Sequence, residues 1–188
     1  MTNLVKRVLV GVIGIPVAIG VVYLGGWVFA GAIMLLTVLA LREFYALAGS
    51  KHATPNVTLG IIWSLILQVD VARSMISTPG GMGAVGTTLA VAVLMVIGVL
   101  ATLTVELFRA KENALLNTAI TVFGVAYISL AMSCLLVLRF VTEPAFVGTW
   151  SDLGTSLVAT VFVTVWAADS VAYFVGMAIG KHKLFPRV

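Results

Sequence analysis

The chain is dominated by apolar runs too long to be core elements of a soluble domain. They fall at about residues 5–24, 27–41, 57–71, 85–108, 114–138 and 153–179, separated by short turn-rich or charged stretches. Hydrocarbon offers backbone amides no water, so such a run must close its own hydrogen bonds as a helix, and about 20 residues suffice to cross a bilayer. The expected fold is all-α, a polytopic transmembrane helical bundle of about six membrane segments forming a single domain over residues 1–188. The hydrophobic fraction of 61%, the charged fraction of 10% and a mean hydropathy of +1.17 exclude an ordinary soluble domain. The net charge of +4 is no sign of nucleic-acid binding, because in a membrane protein the place of each cation matters more than the sum. Cys134 is the single cysteine, so no disulfide framework or thiolate metal site is expected, and it reads as a packing residue.

Pro16 should bend the first run, Gly25-Gly26 should reverse the chain tightly, and Trp27 suits a membrane interface. Arg42 and Glu43 read as interfacial anchors at the end of the second run. The third run is short for a crossing and has Gln68 and Asp70 near its end, which suggests a segment that is tilted, partly re-entrant or supported by neighbours. The glycine-rich stretch 78–83 lacks the Gly-Lys-Ser/Thr of a nucleotide loop and reads as a connection. His52 reads as a solvated loop residue. Glu106 and Arg109, three residues apart, should pair at a helix end. Tyr127 suits a hydrogen bond across helices or a packing role equally.

With the amino terminus inside and six crossings, Lys6, Arg7, Arg42, Lys51, Arg109, Lys111, Lys181, Lys183 and Arg187 fall on the inner side, and only Arg73 and Arg139 fall outside. This asymmetry places the amino terminus and the Lys181 cluster in the cytoplasm.

The last run holds the chemistry. Asp169 is a carboxylate inside an apolar helix that ends in Lys181, His182, Lys183 and Arg187. Helical spacing places Asp169, Tyr173, Gly176 and Gly180 on one stripe, while Ala168, Ala172, Gly176 and Gly180 recur every fourth residue, a pattern that lets another helix backbone approach. Asp169 is therefore expected to face protein rather than lipid. An ionised carboxylate there is rarely kept without a hydrogen-bond partner, a metal or a water-filled cavity.

The run Ala168-Asp169-Ser170-Val171-Ala172-Tyr173, then Gly176, then Gly180-Lys181-His182-Lys183-Leu184 and Pro186, resembles a segment of the CDP-diacylglycerol synthases, also called phosphatidate cytidylyltransferases. The acid, the tyrosine, both glycines and the Lys-His-Lys match without a gap. Val171 stands where the family usually has glycine, and Met177 where it usually has a cation. Arg7, Gly11, Pro16 and Glu43, and later Gly124, Tyr127, Leu138 and Arg139, resemble family features in the same order.

The resemblance implies that CTP and phosphatidate react to give CDP-diacylglycerol and pyrophosphate, with magnesium as cofactor. It implies Asp169 as a metal-binding or network-organising catalytic residue, Tyr173 as its hydrogen-bonding neighbour, and Lys181, His182 and Lys183 as substrate-binding residues. The implied setting is a bacterial-type inner membrane, with a homodimer among the assemblies open to the protein. Family members continue beyond the Pro-Arg-Val turn into a signature rich in acids and bases. The chain is therefore expected to be an amino-terminal portion, incomplete for catalysis alone. Two other readings of the residues stand beside this one: a six-helix transporter using Asp169 for ion coupling, and a scaffold docking a partner helix on the small-residue stripe.

Overall fold

In a computed structural model, residues 3–49, 53–77, 82–141 and 152–179 are described. They form α1 (Asn3–Leu24), α2 (Gly26–Gly49), α3 (Val57–Ser77), α4 (Met82–Arg109), α5 (Ala114–Gly124), a π-helical turn (Val125–Ser129), α6 (Leu130–Arg139) and α7 (Leu153–Ile179). α5, the π-turn and α6 are continuous, so the described residues make six helical passes. Among the described residues, five helices are long and apolar enough to cross a membrane, and 11–24 form a shorter apolar stretch of α1. The protein is an integral membrane helical bundle.

Two of the expected boundaries move, and one packing expectation changes. α2 runs on to Gly49, so Arg42 and Glu43 sit on its exposed side rather than at its end. α3 continues to Ser77 and, at 21 residues, is long and apolar enough to cross a membrane. Polar side chains at Asp70 and Arg73 do not stop a helix whose backbone bonds are already closed; they need only a side that reaches polar surroundings. Cys134 is exposed on α6, beside a shallow groove shared with Val91 of α4, rather than packed inside.

The reversal between α1 and α2 is made by Gly25 and Gly26, at φ +59° and +52°, a left-handed conformation that side chains resist. At the same end of the bundle, Val22, Phe29, Ile33, Val71, Leu136 and Val158 pack into one apolar cluster. Trp63, Leu67 and Val125 form a second cluster nearer the other end.

Two aromatic side chains fix helix spacing by filling space that only glycine leaves open. Trp63 lies flat on Gly98 of α4 and donates its indole N–H to the Leu94 carbonyl at 3.1 Å. Tyr45 is wedged between Gly60 of α3 and Gly124 of α5 and donates its hydroxyl to the Thr121 carbonyl at 2.9 Å. A Cβ at Gly98 would overlap the Trp63 ring, which is itself held by its hydrogen bond. Gly98→Ala is expected to destabilise the protein by about 1–3 kcal/mol despite alanine's better helix propensity. Gly31→Ala, where a Cβ meets nothing within 4 Å, should be neutral or stabilising. Thermal unfolding of both variants in one detergent separates the packing effect from the propensity effect.

Candidate active site

Asp169 lies on α7, about two-thirds of the way from its Leu153 end. At 1.5 Å per residue this puts the carboxylate about 24 Å along the helix, in the half of the span nearest the Lys181 cluster. Tyr173 follows one turn later on the same face, 46% exposed, with its ring edge-on to Phe174 at 5.6 Å. Among the described residues no hydrogen bond or ion pair reaches Asp169. Lys181, His182 and Lys183 lie outside the described residues, as does His52.

The expectation that Asp169 faces protein is not met within the described chain, where it is exposed. α7 packs chiefly on α6 and α1, and these contacts gather toward its Leu153 end. Beyond Trp166 the helix has little cover, and a Cβ at Gly176 would meet nothing within 4 Å. The small-residue stripe is present, but no described helix occupies it. The apolar cleft beside α7, lined by Ile19, Val22, Tyr23, Phe162 and Trp166, stops short of Asp169.

The first turn of α7 is anchored strongly. The Arg139 side chain, at the end of α6, is 9% exposed. It donates from Nε to the Val22 carbonyl at 2.8 Å and from Nη2 to the Tyr23 carbonyl at 3.4 Å, and pairs through Nη1 with Asp152 at 3.1 Å. The two carbonyls belong to the last turn of α1, where helix geometry leaves acceptors without intrahelical donors. Asp152 in turn caps α7 by accepting the Thr155 amide at 2.6 Å. Partial burial opposes ionisation of Asp152, but the Thr155 amide and hydroxyl and the Arg139 charge outweigh it and hold the carboxyl below its usual range. One guanidinium thus ties the ends of α1 and α6 to the start of α7. The approach is so close that a Cβ on Gly25 would strike the guanidinium, and one on Gly154 would strike the Arg139 carbonyl.

A second polar centre closes the opposite end of the bundle. The expected Glu106–Arg109 pair forms at 2.7 Å. The other Glu106 oxygen accepts from Asn117 Nδ2 at 2.7 Å, and Asn117 Oδ1 accepts the Thr54 amide at 2.7 Å. Arg109 also donates to the Thr54 carbonyl at 3.0 Å, and the Asn56 amide donates to Thr121 Oγ1 at 2.9 Å. The segment between α2 and α3 is thereby tied to the turn between α4 and α5. Both Glu106 oxygens are occupied by protein donors, so this buried acid is structural. Neither Asn117 nor Thr121 belongs to a recognisable motif; their one signal in the sequence is two polar residues four apart on one side of an apolar helix.

Tyr127 stacks on Phe123 at 5.5 Å and is 66% exposed, which settles it as a surface packing residue. For metal binding, the described residues contain no group of three His, Cys, Asp or Glu side chains placed to share an ion. Asp169 offers one ligand and no set, so the described residues do not by themselves fit a magnesium site.

Six helical passes among the described residues, one bearing an acid inside its apolar run, define a polytopic membrane protein of helical-bundle class. The chain belongs to the cytidylyltransferase family, whose model matches residues 5–188. A phosphatidate cytidylyltransferase of Synechocystis sp. is 28% identical over 196 residues, covering 95% of this chain and 62% of that relative. A phosphatidate cytidylyltransferase of Haemophilus influenzae is 60% identical over 35 residues, covering 19% of this chain and 12% of that protein. The chain thus spans less than two-thirds of the length of either relative. No solved structure matches it.

Proposed function

We propose that the protein of which this chain is part or whole is a phosphatidate cytidylyltransferase of phospholipid biosynthesis. The family match over nearly the whole chain carries this reading, and the intramembrane Asp169 with Tyr173 one turn away supports it. A phosphate oxygen of phosphatidate attacks the α-phosphorus of CTP. A new P–O–P bridge forms to the lipid phosphate, the bond between the α-phosphorus and the β-bridging oxygen breaks, and pyrophosphate leaves with that oxygen's electron pair.

Both reactants are polyanions, so the site must offset charge and hold them in line. Lys181 and Lys183 supply positive charge at the membrane exit of α7, where a lipid head group and a cytosolic nucleotide meet, and His182 adds a hydrogen-bond donor. Asp169 orients the polar groups that enter the membrane half of the site, and the Tyr173 hydroxyl donates into the same network. Magnesium, when bound, would supply charge neutralisation at the phosphates, with Asp169 as the one candidate ligand among the described residues of α7. The protein sits in a bacterial-type inner membrane with the Glu106 end and the Lys181 cluster facing the cytoplasm.

The test is CTP-dependent formation of CDP-diacylglycerol by the intact protein in phosphatidate-containing micelles. Lys181→Ala and Lys183→Ala are expected to raise KM for CTP about tenfold each, with a smaller change in kcat. Unchanged kinetics would return both lysines to the role of a positive membrane flank. The uncovered small-residue stripe of α7 favours one alternative, a scaffold that docks a partner helix there; no CDP-diacylglycerol from an intact, folded protein would turn the reading toward it.

A further inference from the structure

Between the two apolar clusters, the centre of the bundle contains a polar layer that the reaction above does not use. Gln68 of α3 donates from Nε2 to Thr37 Oγ1 of α2 at 2.7 Å, and Thr37 donates to the Ile33 carbonyl at 2.9 Å. Gln68, Ser64 and Ser129 are all fully buried. Yet Gln68 Oε1, Ser64 Oγ and Ser129 Oγ have no hydrogen-bond partner in the protein.

Helix register brings the three to one level. α3 and the π-turn–α6 helix run in the same direction, with Trp63 and Leu67 against Val125 and, farther along, Val71 and Ala72 in one cluster with Leu136. Ser129 falls between those contacts, opposite the stretch from Ser64 to Gln68. Ser64 and Gln68 are four residues apart on one face of α3, about 6 Å along the axis, and although side chains at that spacing can meet, neither Ser64 Oγ nor Gln68 Oε1 bonds the other, which leaves both for two bonds in series through a small molecule. The π-turn closes with the Leu130 amide on the Val125 carbonyl, and the Ser133 hydroxyl takes the Ser129 carbonyl at 2.8 Å. The Ser129 hydroxyl is thereby left over, fully buried and without a partner in the protein.

We propose that this layer is an internal water site, in which one water donates to Gln68 Oε1 and bonds the Ser64 and Ser129 hydroxyls. Three polar partners are what a buried water usually has, and buried polar atoms in native proteins are seldom left unmatched. The chemistry selects water over a cation, because every group in the layer is neutral. The nearest carboxylate along α3, Asp70, borders a different groove with Leu65, Ile66 and Arg73. A bare charge in this part of the membrane would have no counterion. The site also gives the π-turn a physical reason: the extra residue turns a hydroxyl toward the water.

A structure of the intact protein at about 2 Å resolution or better tests this. One density peak within hydrogen-bonding distance of Gln68 and at least one of the two serines is expected, with no anomalous signal after rubidium exchange. Direct pairing of the side chains without a peak, or a rubidium signal at the site, would overturn the proposal. Thermal unfolding of Ser64→Ala, Ser129→Ala and the double variant gives an independent readout. The two serines share no direct bond, so a loss in the double variant well below the sum of the single losses marks a shared water. Strictly additive shifts would count against it.

Discussion

Replacing Asp169 by asparagine is expected to reduce CDP-diacylglycerol formation by the intact protein at least about a hundredfold, with membrane insertion unchanged. The two parts of this result belong together. Asparagine matches the carboxylate in shape but carries no charge, and a neutral amide costs less to place in hydrocarbon than an ionised acid. The variant should therefore insert at least as well as the parent, and a loss of turnover would report on the site rather than on assembly. Because Asp169 makes no hydrogen bond or ion pair within the described residues, the substitution also breaks no contact that holds the bundle together. Near-normal turnover would remove Asp169 from the reaction and leave helix docking as its role.

The largest structural effect should follow from Arg139→Ala. That change removes the donor from the Val22 and Tyr23 carbonyls and the counterion from Asp152 in a single step. A buried ion removed from its partners typically costs several kcal/mol; because the Asp152 side chain is 49% exposed and water can replace part of the loss, the expected cost is on the order of 2–3 kcal/mol. Arg139→Lys should recover only part of this, since an ammonium cannot reach all three acceptors as the planar guanidinium does.

The dependence on pH has a definite sign. The Asp152 carboxyl is held below its usual value in the fold, so its contribution is present above about pH 4 and is lost as pH falls through the folded-state value. In Arg139→Ala the Thr155 bonds remain and the charge is gone, so the loss on acidification should be smaller. Unfolding of parent and variant in detergent between about pH 3 and 7 measures both effects; equal stability at neutral pH would show that water replaces the guanidinium fully.

Sequence gave good access to what depends on local pattern. The bounds of α7 follow from one apolar run set between Asp152 and a basic flank, and the glycine reversal at Gly25 and Gly26 is likewise local. α3 was harder, because Asp70 and Arg73 resemble the end of a span although the backbone continues to Ser77. Features that depend on distant residues were not readable. The acceptors of Arg139 are backbone carbonyls more than 100 residues away, and such groups leave no mark in a sequence. The Tyr45 wedge likewise needs Gly60 and Gly124 together. Of the candidate site, Asp169 and Tyr173 were legible through their chemistry and spacing. What surrounds them was not, since a small-residue stripe shows that a helix can be approached and does not show by what.

The mounting of α7 has a mechanical consequence. Among the described residues it is clamped at Asp152 and little covered beyond Trp166, the arrangement of a cantilever. Over the 25 residues from Leu153 to Met177 the arm is about 36 Å long, so a 5° change of angle at the clamp would sweep the far end through about 3 Å and Asp169 through about 2 Å. Displacements of that size are enough to disrupt catalytic alignment. A bond at one end of α7 would therefore set the aim of a carboxylate nearer the other.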